Sequence, residues 1–123
     1  MAKLMITPDD LKKGTLVDPG WYPAVIKNVE EKPSKTDGSQ NWNLEFKIEG
    51  DSKFNGVPVY RTFNEKGAGF AKNFVTAGGG VIDEKKGFEV DFQRTVGTKL
   101  NIYVKNRLYE GNMRNEVADF RKL

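Results

Sequence analysis

A chain of 123 residues with formal net charge +3, 37% hydrophobic and 30% charged, is long enough for one compact domain and short for two. Cysteine and histidine are both absent, which removes disulfides, thiol chemistry, the commonest general base and the commonest zinc ligand, and so disfavours an enzyme. No apolar run approaches the ~20 residues of a membrane span, and the N-terminus has no signal-peptide stretch, so the expectation is a cytoplasmic protein without membrane contact or cofactor.

Eight Phe, four Tyr and two Trp can supply a core, and thirteen Gly predict a turn-rich, mainly β fold. TPDDLKK, residues 7–13, predicts a short N-terminal helix: Thr7 caps it, Pro8 suits its first position, Asp9 and Asp10 complement the dipole, and Gly14 stops it. Asp18-Pro19-Gly20 reads as a turn. A first strand is expected over residues 21–31, with Tyr22, Ala24 and Ile26 on one face and Trp21, Val25 and Val29 on the other. KPSKTDGSQN, residues 32–41, has the composition of a mobile loop. Trp42, Leu44, Phe46 and Ile48 then alternate with Asn43, Glu45 and Lys47, the cleanest strand signal in the chain. After a turn over residues 50–56, Val57, Val59 and Phe63 alternate with Pro58, Tyr60 and Thr62 in a third strand.

The period then changes. Phe70, Phe74 and Ala77 recur at helical spacing, with Asn64 as cap and Gly78 as terminator. Residues 81–93 read equally as strand or helical turn. A fourth strand over residues 98–109 puts Leu100, Ile102, Val104 and Leu108 on one side, interrupted by Asn106. Tyr103, Lys105, Arg107 and Tyr109 fall on the other. Glu110-Gly111-Asn112 predicts a hairpin turn into a fifth strand over residues 113–120. Five short strands with a helix between the third and fourth is the element order of the OB-fold, a partly open barrel. The expected architecture is therefore a single OB-fold-like domain over residues 1–123; other β-barrels and β-sandwiches with one helix share the order.

Charge is unevenly spread. Residues 94–123 hold seven Lys or Arg against three acids, while the rest of the chain holds 13 against 14. In an OB barrel, strands 2 and 3 and the loops joining strands 1–2 and 4–5 frame an oligonucleotide groove. The first loop carries Lys32 and Lys35; the second is flanked by Arg107 and Arg114. Tyr60, Tyr103 and Tyr109 are the rings expected to face outward, and Lys105 and Arg107 alternate with the last two. A lone surface tyrosine ordinarily just covers a sheet edge. Rings that stack bases beside cations that meet phosphates, however, are what a single-strand site requires. The candidate set is Lys35, Tyr60, Arg61, Tyr103, Lys105, Arg107, Tyr109 and Arg114, although strict alternation turns Arg61 toward the core. Trp42 is in phase with the core, and Trp21 fits either environment. Gly67-Ala68-Gly69 lacks the third glycine of a dinucleotide fingerprint, no phosphate-loop ending is present, and Asp83-Glu84 has nothing to tune it.

Gly20-Trp21-Tyr22, Lys35 and Gly38 ahead of Trp42-Asn43-Leu44, Gly97-Thr98-Lys99, and the Tyr-x-Gly-Asn turn followed by Asn115-Glu116-Val117 occur here in a telling order. Over roughly residues 15–120 the chain resembles the small phage-encoded single-stranded DNA-binding proteins long catalogued as a domain of unknown function. The resemblance implies a non-enzymatic OB-fold that coats single-stranded DNA without sequence preference in phage replication or recombination, in the bacterial host cytoplasm. Phage or host replication and recombination proteins would be its partners, with homo-oligomer formation left open. Many such proteins end in an acidic recruiting tail, whereas this chain ends DFRKL, so recruitment by a tail is not expected. From the same residues the alternative is a protein-interaction adaptor or inhibitor that uses the tyrosines as anchors.

Overall fold

The computed structural model describes residues 3–6, 15–67, 72–75, 77, 81–83, 87–89 and 91–123, the pieces at 81–83 and 87–89 by their backbone alone. The N-terminal helix expected over residues 7–13 lies outside them. The described chain is mainly β: β1 (Gly20–Pro33), β2 (Gln40–Ile48), β3 (Pro58–Asn64), the short helix α1 (Lys72–Phe74), β4 (Val81–Asp83), β5 (Gly87–Glu89), a 3-10 helix (Phe92–Thr95), β6 (Lys99–Tyr109) and β7 (Asn112–Arg121). Five strands form one antiparallel sheet in the order β3-β2-β1-β6-β7, and β4 and β5 pair separately.

Two expectations change. The ladders leave β3 and β7 as edges, so the sheet is open rather than closed by hydrogen bonds into a barrel. The helix expected between the third and fourth long strands is described only as the three residues of α1, and a hairpin and a 3-10 turn follow it before β6. The region that read ambiguously, residues 81–93, thus holds both short strands and the start of a helical turn. Asp91 caps that turn, its side chain accepting from the Gln93 amide at 3.2 Å.

The alternating apolar set of the sequence makes the core. Leu44, Phe46, Ile48, Val59, Leu100, Ile102 and Val104 are buried from one side of the sheet, with Ala24 and Ile26 between them. Val29 joins this face instead of the opposite one. A bulge between Ile26 and Asn28 inserts one residue and reverses the parity of everything after it. Phe74 from α1 and Phe92 from the 3-10 helix then cap the core against Phe63 and Phe120, with ring centroids 5.2–5.9 Å apart. Trp42 packs on Phe92 at 5.0 Å, on the core side as its phase predicts. Burying each such ring contributes about 1.5–3 kcal/mol.

Asn106, which broke the apolar list on β6, has a distant purpose. Its Nδ2 donates to the Val17 carbonyl at 2.9 Å, while its cross-strand partner Asn115 accepts from the Val17 amide at 2.8 Å and donates to the Thr15 carbonyl at 2.7 Å. Two amide side chains thereby satisfy the backbone ahead of β1 and let Val17 bury completely. Beyond this clamp β6 has lost its other neighbour, because pairing with β1 ends at Gly20 opposite Val104. Leu108, expected inside, is consequently 66% exposed. From Lys105 onward β6 and β7 run as a two-stranded ribbon past the core. It is closed by Glu110 and Gly111 at φ 48° and 83°, the left-handed pair of a tight hairpin turn. Asn112, expected in the turn, instead pairs with Tyr109.

Candidate functional site

Strand parity brings four of the expected residues onto one side of the ribbon: Tyr103, Lys105, Arg107 and Tyr109 of β6, whose partners on β7 are Asp119, Glu116, Arg114 and Asn112. Arg114 therefore faces Arg107 across the ladder. It avoids the like-charge contact by lying over the Tyr109 ring, its guanidinium carbon 4.8 Å from the centroid. Lys105 and Arg107 both reach Glu116, at 3.8 and 3.6 Å. One carboxylate thus holds two cations in place on an exposed surface.

Tyr60 joins from the far edge of the sheet. Although β3 and β7 share no ladder, a cleft of about 180 Å³ between them is lined by Leu16, Pro58, Tyr60, Met113, Arg114 and Asn115. Burial, and secondarily the Glu45 carboxylate that accepts its hydrogen bond at 3.0 Å, push the Tyr60 hydroxyl above the usual phenol range. It stays a neutral donor at any physiological pH. Tyr60 and Arg114 thus line one cleft, and Arg114 in turn lies over Tyr109.

Arg61 points inward, as alternation requires. Its Nη1 donates to the Val117 carbonyl at 3.0 Å, stitching the two edge strands together, while Nε is buried without a partner. Its guanidinium lies 5.4 Å from the Phe63 ring. This arginine is committed to the seam between β3 and β7.

Lys35 is exposed but stands apart, on the turn between β1 and β2, at the end of those strands away from the ribbon. That turn is shorter and more tied than its composition predicts. β1 runs on through Pro33, the Ser34 amide donates to the Ser39 carbonyl at 2.6 Å, and Asp37 accepts from the Ser39 amide and hydroxyl. A hydrogen bond from Lys66, followed by those from Ser39, holds the Asp37 carboxyl down at about 2. The neighbouring outward face of β2 and β3, expected to form the groove, is a run of paired polar groups: Asn43 with Thr62, Glu45 with Tyr60, Asn41 with Asn64. Cations concentrate on β6 and β7 instead.

Two residues outside the expected set belong to this face. Trp21 pairs in register with Tyr103, their rings edge to face at 5.4 Å, and the Arg121 guanidinium lies 4.2 Å from the Trp21 ring centroid. Parity left Trp21 on the outer side of the first strand. Arg121 lay beyond the expected end of the last one, and only the pairing of Asn101 with Arg121 brings it alongside.

Among the described residues no group of three or more acidic side chains could hold a metal ion, and no helix is long and apolar enough to cross a membrane. No protein-family model matches the chain, and no curated protein matches it.

Proposed function

We propose that this protein is a non-enzymatic binder of single-stranded DNA, held without sequence preference on the outward face of the β6–β7 ribbon. Register is what carries the reading: half-buried Tyr103 and exposed Lys105, Arg107, Arg114 and Tyr109 share one outward face, where rings and cations alternate. Each base stacked on such a ring is worth ~1–3 kcal/mol whatever its identity, and each cation releases a counterion from the strand. The charge distribution favours the ribbon over the outward β2–β3 face, where Lys47 only balances Glu45.

The strand order and the Arg61 bridge between β3 and β7 fit a five-stranded OB-like barrel whose seam is closed by a side chain. Taken with the resemblance to phage single-strand binders, this supports a role in phage DNA replication or recombination in a bacterial cytoplasm, beside replication or recombination proteins. The test is fluorescence anisotropy of labelled oligo-dT against duplex of equal length, across a salt series. Tight single-strand binding that weakens steeply with salt is expected. No binding at low salt overturns the proposal.

A second reading is favoured by one observation. Leu108 and Met113 pair across the reverse side of the ribbon and are 66% and 51% exposed, an apolar couple suited to a protein contact. An adaptor or inhibitor module would use that side, and would form a salt-insensitive complex with a protein while leaving oligonucleotide mobility unchanged.

A further inference from the structure

The outward face of β6 carries the same device at two places, near its middle and at its Tyr109 end. At one, Arg121 lies over Trp21, which meets Tyr103 edge to face; at the other, Arg114 lies over Tyr109 and lines a cleft with Tyr60. In each, a guanidinium lies over an aromatic ring, so it can offer its own plane to a base or swing to a phosphate and free the ring. Between the two, β6 places Lys105 and Arg107, both held at the Glu116 carboxylate and able to meet phosphates. Tyr109 lies six residue steps along β6 from Tyr103, about 20 Å at strand rise.

We infer that Trp21 and Arg121 form a second stacking station, and that a single strand must bridge it and the Tyr109–Arg114 station to bind well. The inference rests on the single-strand reading above. About 20 Å corresponds to some six nucleotides at the ~3.4 Å spacing of stacked bases, and to fewer in a stretched strand. A shorter oligonucleotide reaches one station at a time. A longer one makes its second contact intramolecularly, with the effective concentration that tethering provides. Affinity is therefore a step in length rather than a gradual rise. The step falls within the ~4–16 nucleotides covered by a fold of this kind.

The experiment titrates labelled oligo-dT from about three to about twelve nucleotides into the wild-type chain and into Trp21→Ala, Arg121→Ala and Arg94→Ala. Arg94, exposed on the 3-10 helix, controls for the loss of one positive charge. The wild-type chain should gain about tenfold or more in affinity between roughly four and eight nucleotides. Trp21→Ala and Arg121→Ala should flatten that gain and lower trinucleotide affinity only about twofold, because the Tyr109–Arg114 station remains, and Arg94→Ala should keep the gain. Trp21 is partly buried, so its variant is checked by circular dichroism; if it does not fold, the exposed Arg121→Ala decides. A step that persists in Arg121→Ala, or a wild-type affinity without a step, overturns the two-station inference and leaves single-strand binding standing. Absence of binding at every length overturns both.

Discussion

Replacing Arg107 and Arg114 together by Ala tests the ribbon most directly. Both lie on the exposed outer side beyond the Asn106–Asn115 clamp, where even Leu108 is open to water, so their removal leaves the packed core intact. Four cations line the proposed path: Lys105, Arg107, Arg114 and Arg121. If each neutralises one phosphate, log affinity falls with log salt at a slope of about −2.8, taking ~0.7 per contact for a single strand. Without the two arginines the slope becomes about −1.4. Raising salt fourfold, from about 50 to about 200 mM, then weakens the wild-type chain about 50-fold and the variant only about 7-fold. Glu116 already neutralises part of Lys105 and Arg107, which lowers the wild-type figure, but the variant must still be the flatter of the two. Anisotropy of a labelled oligo-dT across the salt series reads both slopes. Parallel lines would show that these arginines do not meet phosphates, and the ribbon would lose its assigned role.

Glu116→Gln removes the carboxylate that competes with phosphate for Lys105 and Arg107; exposed pairs of this kind are worth ~1 kcal/mol or less, so single-strand affinity should rise about two- to fivefold. A decrease in the same titration would mean that Glu116 organises the cations rather than restraining them. Arg61→Met deletes a charge-assisted bond to Val117 worth about 1.5–3 kcal/mol, and with it a buried unpartnered Nε costing about 1–3, so urea melts should shift by no more than about 2 kcal/mol. Oligonucleotide affinity should stay unchanged; a large loss would return Arg61 to the binding set. Asp37 is held below its ordinary 3.8, so its contribution is fully present above that value and drains away as pH falls toward about 2. In Asp37→Asn the thermal midpoint should therefore fall less steeply than in wild type between about pH 4 and about pH 2, and identical slopes would remove the Lys66–Ser39 cage as the cause.

Periodicity alone was enough to place Leu44, Phe46, Ile48, Val59, Leu100, Ile102 and Val104 in a common core, because side-chain direction along an unbroken strand is a local property. The turn at Glu110-Gly111 was legible for the same reason: its backbone demands are met by the residues in it. So was the row of Tyr103, Lys105, Arg107 and Tyr109. What parity could not anticipate was any event that resets it or any neighbour that ends. The bulge at Ile26–Asn28 turned Val29 inward, and the end of β1 at Gly20 left Leu108 uncovered. Asn106 looked like an interruption until Val17, 89 residues earlier, arrived at its amide.

The candidate site divides along the same line. The amino-acid order determined which side chains share the outer side of β6, and it concentrated positive charge in that quarter of the chain. Tertiary structure alone decided that Arg61 is spent on the seam, that Lys35 stands at the far end, that Tyr60 and Arg114 line one cleft between two edges, and that Trp21 and Arg121 stand beside Tyr103. Alternation is written within a few residues of one strand. Which strands lie side by side, and where each one stops, depends on the packing of segments far apart in the chain.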